Sequence, residues 1–202
     1  GAASAAAAAA DAAAGARERL RTNPEALEVM RELQDLLSIK GGVIEPTRPG
    51  PAELLGHLLL GGQPDAVDVR GLASLGVTHV LNVAGGAEVP TGPDMYKEHG
   101  ISYSEVRSED TQAYDIMQHY DELARLADAA AAAKPPGRLF VHCFAGVNRS
   151  GVLCIAYYAA STGKSLMASA MHCKEQRGRI CTNAGFQVQL VDFAQRRRLP
   201  LR

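Results

Sequence analysis

Residues 142–151, His-Cys-Phe-Ala-Gly-Val-Asn-Arg-Ser-Gly, stand between a short apolar run, Leu139-Phe140-Val141, and a helical pattern from Val152 to Ala160. Strand, tight turn, helix is the repeating unit of an α/β layer fold. The rest of the chain keeps the same alternation. His57-Leu58-Leu59-Leu60 is a short strand closed by Gly61-Gly62, and Asp65 to Leu75 a short helix. Val77 to Val83 and Ile101 to Val106 are strands by their β-branched content, and Ala113 to Ala133 is a long helix stopped by Pro135-Pro136-Gly137. Leu166 to Gln176 and Ala184 to Arg196 are helical, the second capped by Thr182 or Asn183. This predicts an α/β sandwich with helices on a mostly parallel sheet. In such folds chemistry gathers beyond the carboxyl ends of strands, which directs attention to the turn after Val141.

The N-terminal part reads differently. Twelve of the first sixteen residues are alanine, so the 47% hydrophobic content overstates the core. Residues 1–22 are read as a low-complexity extension, a frayed helix or a disordered tail, and lack the basic and Leu-rich regions of a signal peptide. About 180 residues remain, enough for one sizeable core. Asn23-Pro24 predicts a helix start, with Leu27, Met30, Leu33, Leu36 and Leu37 on one face and Gly41-Gly42 at its end. Pro46 to Pro51 is a loop. The division is therefore 1–22 extension, 23–42 amphipathic helix, 43–197 main domain and 198–202 basic tail.

Charge and cysteines exclude several functions. A net charge of −1 gives no global attraction for nucleic acid or anionic lipid. No apolar run reaches the 18 residues of a membrane span. Arg196-Arg197-Arg198 and Arg202 are read as a solvated terminus. Cys143, Cys154, Cys173 and Cys181 form no Cys-x-x-Cys pair, so neither zinc nor any other cofactor is implied. Reduced thiols in an intracellular, cytoplasmic setting are the economical reading.

The turn at 142–151 predicts specific chemistry. A tight strand-to-helix turn aims successive N–H groups at one point, and the next helix adds its positive end. Gly146 allows the turn. The product is a cradle for a tetrahedral dianion. Arg149 closes it with a guanidinium that grips two oxygens. Cys143 at its base is favoured as thiolate and is placed for in-line attack on phosphorus. Ser150 donates to the sulfur or caps the helix; His142 supports the loop by a hydrogen bond.

His142-Cys143, five residues, then Arg149-Ser150 resembles the signature of cysteine-dependent protein phosphatases, and its surroundings resemble the atypical dual-specificity members. Leu58-Leu59-Leu60-Gly61, Gly76 to Asn82, and Asn183-Ala184-Gly185-Phe186 are similar to that family's early strand, its next strand and the start of its final helix. The resemblance covers most of residues 43–195. It implies a protein-tyrosine-phosphatase-like fold with a sheet of about five strands. It also implies a phosphate-binding loop of His142, Phe144, Ala145, Gly146, Val147 and Asn148. The family's Asp general acid falls on Asp110, 33 residues before Cys143, which could instead cap the next helix; Asp115 is the reserve. Arg177 and Arg179 stand where a second substrate phosphate would bind, or at a solvated helix end.

The expected activity is hydrolysis of phosphotyrosine and phosphoserine or phosphothreonine in a phosphorylated protein, through a phosphocysteine. The alternatives are a phosphatase of RNA 5′ ends, phosphoinositides or glycans, and a non-catalytic phosphate-binding module. Uncharged Phe144, Ala145, Val147 and Asn148 argue against highly charged head groups. The Asn-Arg-Ser-Gly ending is slightly like RNA-acting members, though no nucleic-acid partner is expected. A binding module usually lacks the Cys or the Arg.

Overall fold

The computed structural model describes residues 14–39, 47–86 and 88–202. Residues 14–21 are helical (α1) and lead into α2 (Pro24–Leu37). Next come β1 (Ala52–Leu55), β2 (Leu58–Gly61), α3 (Gln63–Val67), α4 (Val69–Ser74), β3 (Val77–Asn82), α5 (Pro93–Lys97) and β4 (Ser102–Glu105). A 3₁₀ turn (Ile116–His119) precedes α6 (Tyr120–Ala132), β5 (Arg138–His142), α7 (Arg149–Thr162), α8 (Leu166–Arg177) and α9 (Ala184–Arg196).

The strands form one sheet in the order β1-β2-β5-β3-β4. Only the β1–β2 pair is antiparallel. β5 is central, with Val141 paired to Leu60 on one side and Leu81 on the other. Its Leu139–His142 stretch is buried throughout, as expected of a parallel strand covered on both faces. Alternate side chains serve two cores. Leu58, Leu60, Leu81, Leu139 and Val141 join the large core beneath α2 and α6 to α9. Leu59, Val80 and Phe140 join a smaller one with Leu72 and Tyr96. The expected fold, a mostly parallel five-stranded sheet flanked by helices, is what the chain forms. The central helix α7 is buried from Arg149 to Ala159, the mark of a helix packed on every side, and Gly163 ends it in the left-handed conformation (φ 68°).

Several expected boundaries are corrected. No helix spans Ala113 to Ala133: Asp115 is extended (φ −76°, ψ 90°) and α6 begins only at Tyr120. The cause is tertiary. Buried Gln189 of α9 accepts from the Ile116 N–H (3.0 Å) and donates to the Tyr114 carbonyl (2.7 Å), taking groups that a helix would use. The predicted 65–75 helix is two, because the Asp68 carboxylate caps α4 by accepting from the Gly71 N–H (3.0 Å). β1 and α5 were not expected. α2 starts at Asn23 as predicted, the Asn23 side chain accepting from Ala26 N–H (3.3 Å). It buries Ala26, Val29, Leu33 and Leu37 rather than the Leu27, Met30 and Leu36 ridge, and ends at Ser38 before the predicted glycines, which lie outside the described residues.

Residues 16–20 and 199–202 pack on the rest of the fold. Residues 1–13 of the alanine-rich extension lie outside the described residues, but Ala16 and Leu20 are buried in the large core. Arg19 makes a two-point ion pair with Asp192 of α9, at 2.7 and 2.9 Å. The arginines of the basic tail are exposed, as expected, yet the segment that carries them is docked. Leu201 is buried, the carbonyls of Pro200 and Leu201 accept from Leu166 and Met167, and Arg202 pairs with Glu28 and Glu32. Arg196 bonds Asp192, and Arg197 covers the Tyr120 ring. Among the described residues no helix is long and apolar enough to cross a membrane.

Candidate active site

β5 ends at His142 and α7 begins at Arg149, so residues 143–148 form the turn between them. Four carbonyls of this turn are engaged away from its centre. Phe144 C=O accepts from Gln63 N–H (2.8 Å) and Val147 C=O from Cys181 N–H (2.7 Å). Ala145 and Gly146 carbonyls accept from the Arg177 guanidinium (3.2 Å each). Gly146 has φ +64°, and a Cβ there would strike the Gly61 carbonyl. Among the described residues, no backbone N–H from Phe144 to Arg149 has a protein acceptor. A turn whose carbonyls are tied back and whose amides are free is an anion cradle.

Cys143 lies at its base, 2% exposed, and Ser150 Oγ donates to its sulfur at 3.2 Å. Arg149 is equally buried. Its two Nη groups donate to both oxygens of Glu88, at 2.7 and 2.5 Å, and one also to the Ser108 carbonyl at 3.3 Å. Its Nε is buried with no protein partner. The guanidinium hydrogen-bonded to Glu88 holds that carboxyl below its usual range. Glu88 was not among the expected site residues; it is distant in sequence and carries no local signal.

Asp110 stands on the loop after β4. Its Oδ2 accepts from Asn148 Nδ2 (3.0 Å) and its Oδ1 from Asn183 Nδ2 (2.9 Å). Glu88, Asp110, Cys143, Phe144, Arg149 and Arg179 all line one cavity of about 330 Å³. The structure thus brings together the residues expected for nucleophile, anion grip and acid. Asp115, the reserve, instead lines a separate cavity with Arg19 and Asp192.

His142 is buried beneath the loop, stacked on Phe140 with ring centroids 5.6 Å apart, its Nδ1 3.3 Å from the Cys143 carbonyl. Burial lowers its pKa to about 4. Arg177 corrects an expectation: 3% exposed, it does not line the cavity but braces the loop from behind, also donating to the Arg48 and Gly50 carbonyls (3.2 and 3.0 Å). Arg179 does line the cavity, and its Nε has no protein partner. Phe144 is 54% exposed at the rim. All four cysteines are free. Burial raises the Cys154 and Cys181 thiols and pushes Cys173 up to about 12, leaving these three as inert core groups.

The family model described as "Dual specificity phosphatase, catalytic domain" matches residues 58–196. The chain is 34% identical over 143 residues to dual specificity protein phosphatase 13B of Homo sapiens, covering 69% of this chain and 71% of that one. It is 37% identical over 141 residues to dual specificity protein phosphatase 26 of Bos taurus, covering 70% of this chain and 65% of that one. It therefore spans roughly two thirds of these relatives' length. Among solved structures, a mouse putative dual specificity phosphatase complexed with zinc tungstate is similar at TM-score 0.63 and 26% identity, covering 81% of this chain and 99% of that one.

Proposed function

Because the chain belongs to the dual specificity phosphatase family, we propose that it is a cysteine-dependent phosphatase that hydrolyses phosphotyrosine and phosphoserine or phosphothreonine in proteins. One observation carries the reading: Cys143 lies at the base of a ring of unpartnered amides, with Arg149 and Asp110 on the same cavity. The amides and the free Arg149 Nε hold the phosphoryl oxygens. Glu88, taking both Nη groups, keeps the guanidinium turned for that grip.

In the first step the Cys143 thiolate forms a sulfur–phosphorus bond as the phosphorus–oxygen bond breaks, and the leaving oxygen takes the Asp110 proton. In the second, water attacks phosphorus and gives its proton to the Asp110 carboxylate. The phosphorus–sulfur bond breaks, and the electron pair returns to sulfur, which Ser150 Oγ stabilises at 3.2 Å. A thiolate nucleophile needs a reducing compartment, which supports a cytoplasmic location. Arg179, which lines the same cavity, contacts a second anionic group of the substrate. The non-catalytic alternative lacks support, since nucleophile, arginine and acid are all present.

Replacing Asp110 by Asn tests the acid. It should lower kcat/KM about 10²-fold or more for an alkyl phosphate and much less for an activated aryl phosphate. An equal loss on both would remove Asp110 from that role.

A further inference from the structure

Asn148 is the last residue of the cradle before Arg149, and its side chain faces two ways. Its Oδ1 accepts three hydrogen bonds, from Thr182 N–H (2.8 Å), Thr182 Oγ1 (3.1 Å) and Asn183 N–H (3.1 Å). Two of these donors are backbone amides, so the oxygen must face them and Nδ2 must face Asp110. Asn183 is fixed by the same logic. Its Oδ1 caps α9 by accepting from Gly185 and Phe186 N–H groups (3.0 and 3.3 Å), which turns its Nδ2 to the other Asp110 oxygen. The carboxylate is exposed on the rim of an open cavity, yet both oxygens are held by amides that cannot rotate away without breaking main-chain hydrogen bonds.

The loop that carries Asp110 is seated by the same elements. The Gln112 carbonyl lies against Gly185 so closely that a Cβ would collide with it. Gln189, one helical turn further along α9, holds the Tyr114 carbonyl and the Ile116 N–H. The start of α9 and the end of the cradle thus grip the acid loop together.

We propose that Asn148 is a positioning residue that docks the acid loop on the phosphate cradle, with Asn183 as the second half of the clamp. This rests on Asp110 being the acid and extends that reading to what sets its place. One amide occupies one lone pair of each oxygen and leaves that oxygen's other lone pair free for the proton given to the leaving group. The clamp therefore acts only where the leaving group needs a proton.

The test uses kcat/KM, which runs through phosphorus–oxygen cleavage, for p-nitrophenyl phosphate and for an alkyl phosphate. Asn148→Ala is expected to lower the alkyl value about tenfold or more and the aryl value about threefold or less. Asn183→Ser, which keeps an N-cap acceptor and loses the amide donor to Asp110, should show the same selectivity and serves alone if Asn148→Ala does not fold. In an Asp110→Asn background, neither change should add selectivity. A loss of equal size on both substrates, while Asp110→Asn itself remains selective, overturns the clamp and leaves the acid standing. Absence of selectivity in Asp110→Asn overturns both.

Discussion

Arg177 donates to the carbonyls of Ala145 and Gly146 on one side and of Arg48 and Gly50 on the other. Its planar fork meets acceptors from distant parts of the chain, which an ammonium cannot do. Arg177→Ala should cost about 3 kcal/mol of stability, from stranded buried carbonyls, and lower turnover of every substrate alike. Arg177→Lys should recover only part of either loss, as read by chemical denaturation and kcat/KM. His142 couples folding to pH. Its pKa lies near 4 in the fold, because burial disfavours the cation, against 6.5 in the unfolded chain. The unfolded state thus takes the proton first as pH falls. The stability held by neutral His142 is complete above about pH 6.5 and is lost between there and pH 4, on the order of 3 kcal/mol. His142→Asn should flatten that part of the stability–pH curve; equal slopes would exclude His142 as its source. The grouping of Cys143, Arg149 and Asp110 on one cavity, with Ser150 reaching the Cys143 sulfur, was legible in the sequence because the turn compresses its residues into ten positions and Asp110 falls at a family spacing. Glu88 and the real task of Arg177 were not, because their partners lie 61 and 31 or more residues away.

At the scale of elements, α9 does two jobs. Its face packs on α2 and α7, and its first turns seat the acid loop. Gly185→Ala would drive a Cβ into the Gln112 carbonyl, so the loop must move. Turnover of an alkyl phosphate should fall about tenfold, with little change for p-nitrophenyl phosphate; a uniform loss would mean that Gly185 matters only for packing. Elements that bury a continuous apolar run, such as β5 and β2, were readable from composition. The failure at Ala113 to Ala133 has a definite cause. Alanine-rich composition and helical spacing favour a helix throughout, but Gln189 takes the backbone groups of Tyr114 and Ile116, and the loop exists because α9 is beside it. β1, four residues long with only half its side chains buried, presents too little pattern to be seen.

Across the molecule, α1 and the last residue are tied by ion pairs to α9 and α2 respectively. Arg19 reaches Asp192, which is 2% exposed and also bonded to Arg196, while Arg202 reaches Glu28 and Glu32 of α2. The exposed Arg202 pairs contribute little, whereas the Asp192 carboxylate is buried and loses a partner if Arg19 is removed. Arg19→Ala should therefore lower the melting temperature by several degrees, about 1–2 kcal/mol. A net charge of −1 is consistent with strong anion binding because the positive potential is local: free amides, a helix start and one buried guanidinium. On the proposed mechanism Cys143 becomes phosphorylated during turnover. Acid quench of the enzyme with an aryl phosphate, followed by peptide mass analysis, should find one added phosphoryl group on the Cys143 peptide and none in Cys143→Ser, which should be inactive. Turnover that persists in Cys143→Ser, or that proceeds with no phosphoryl group on Cys143, would contradict it.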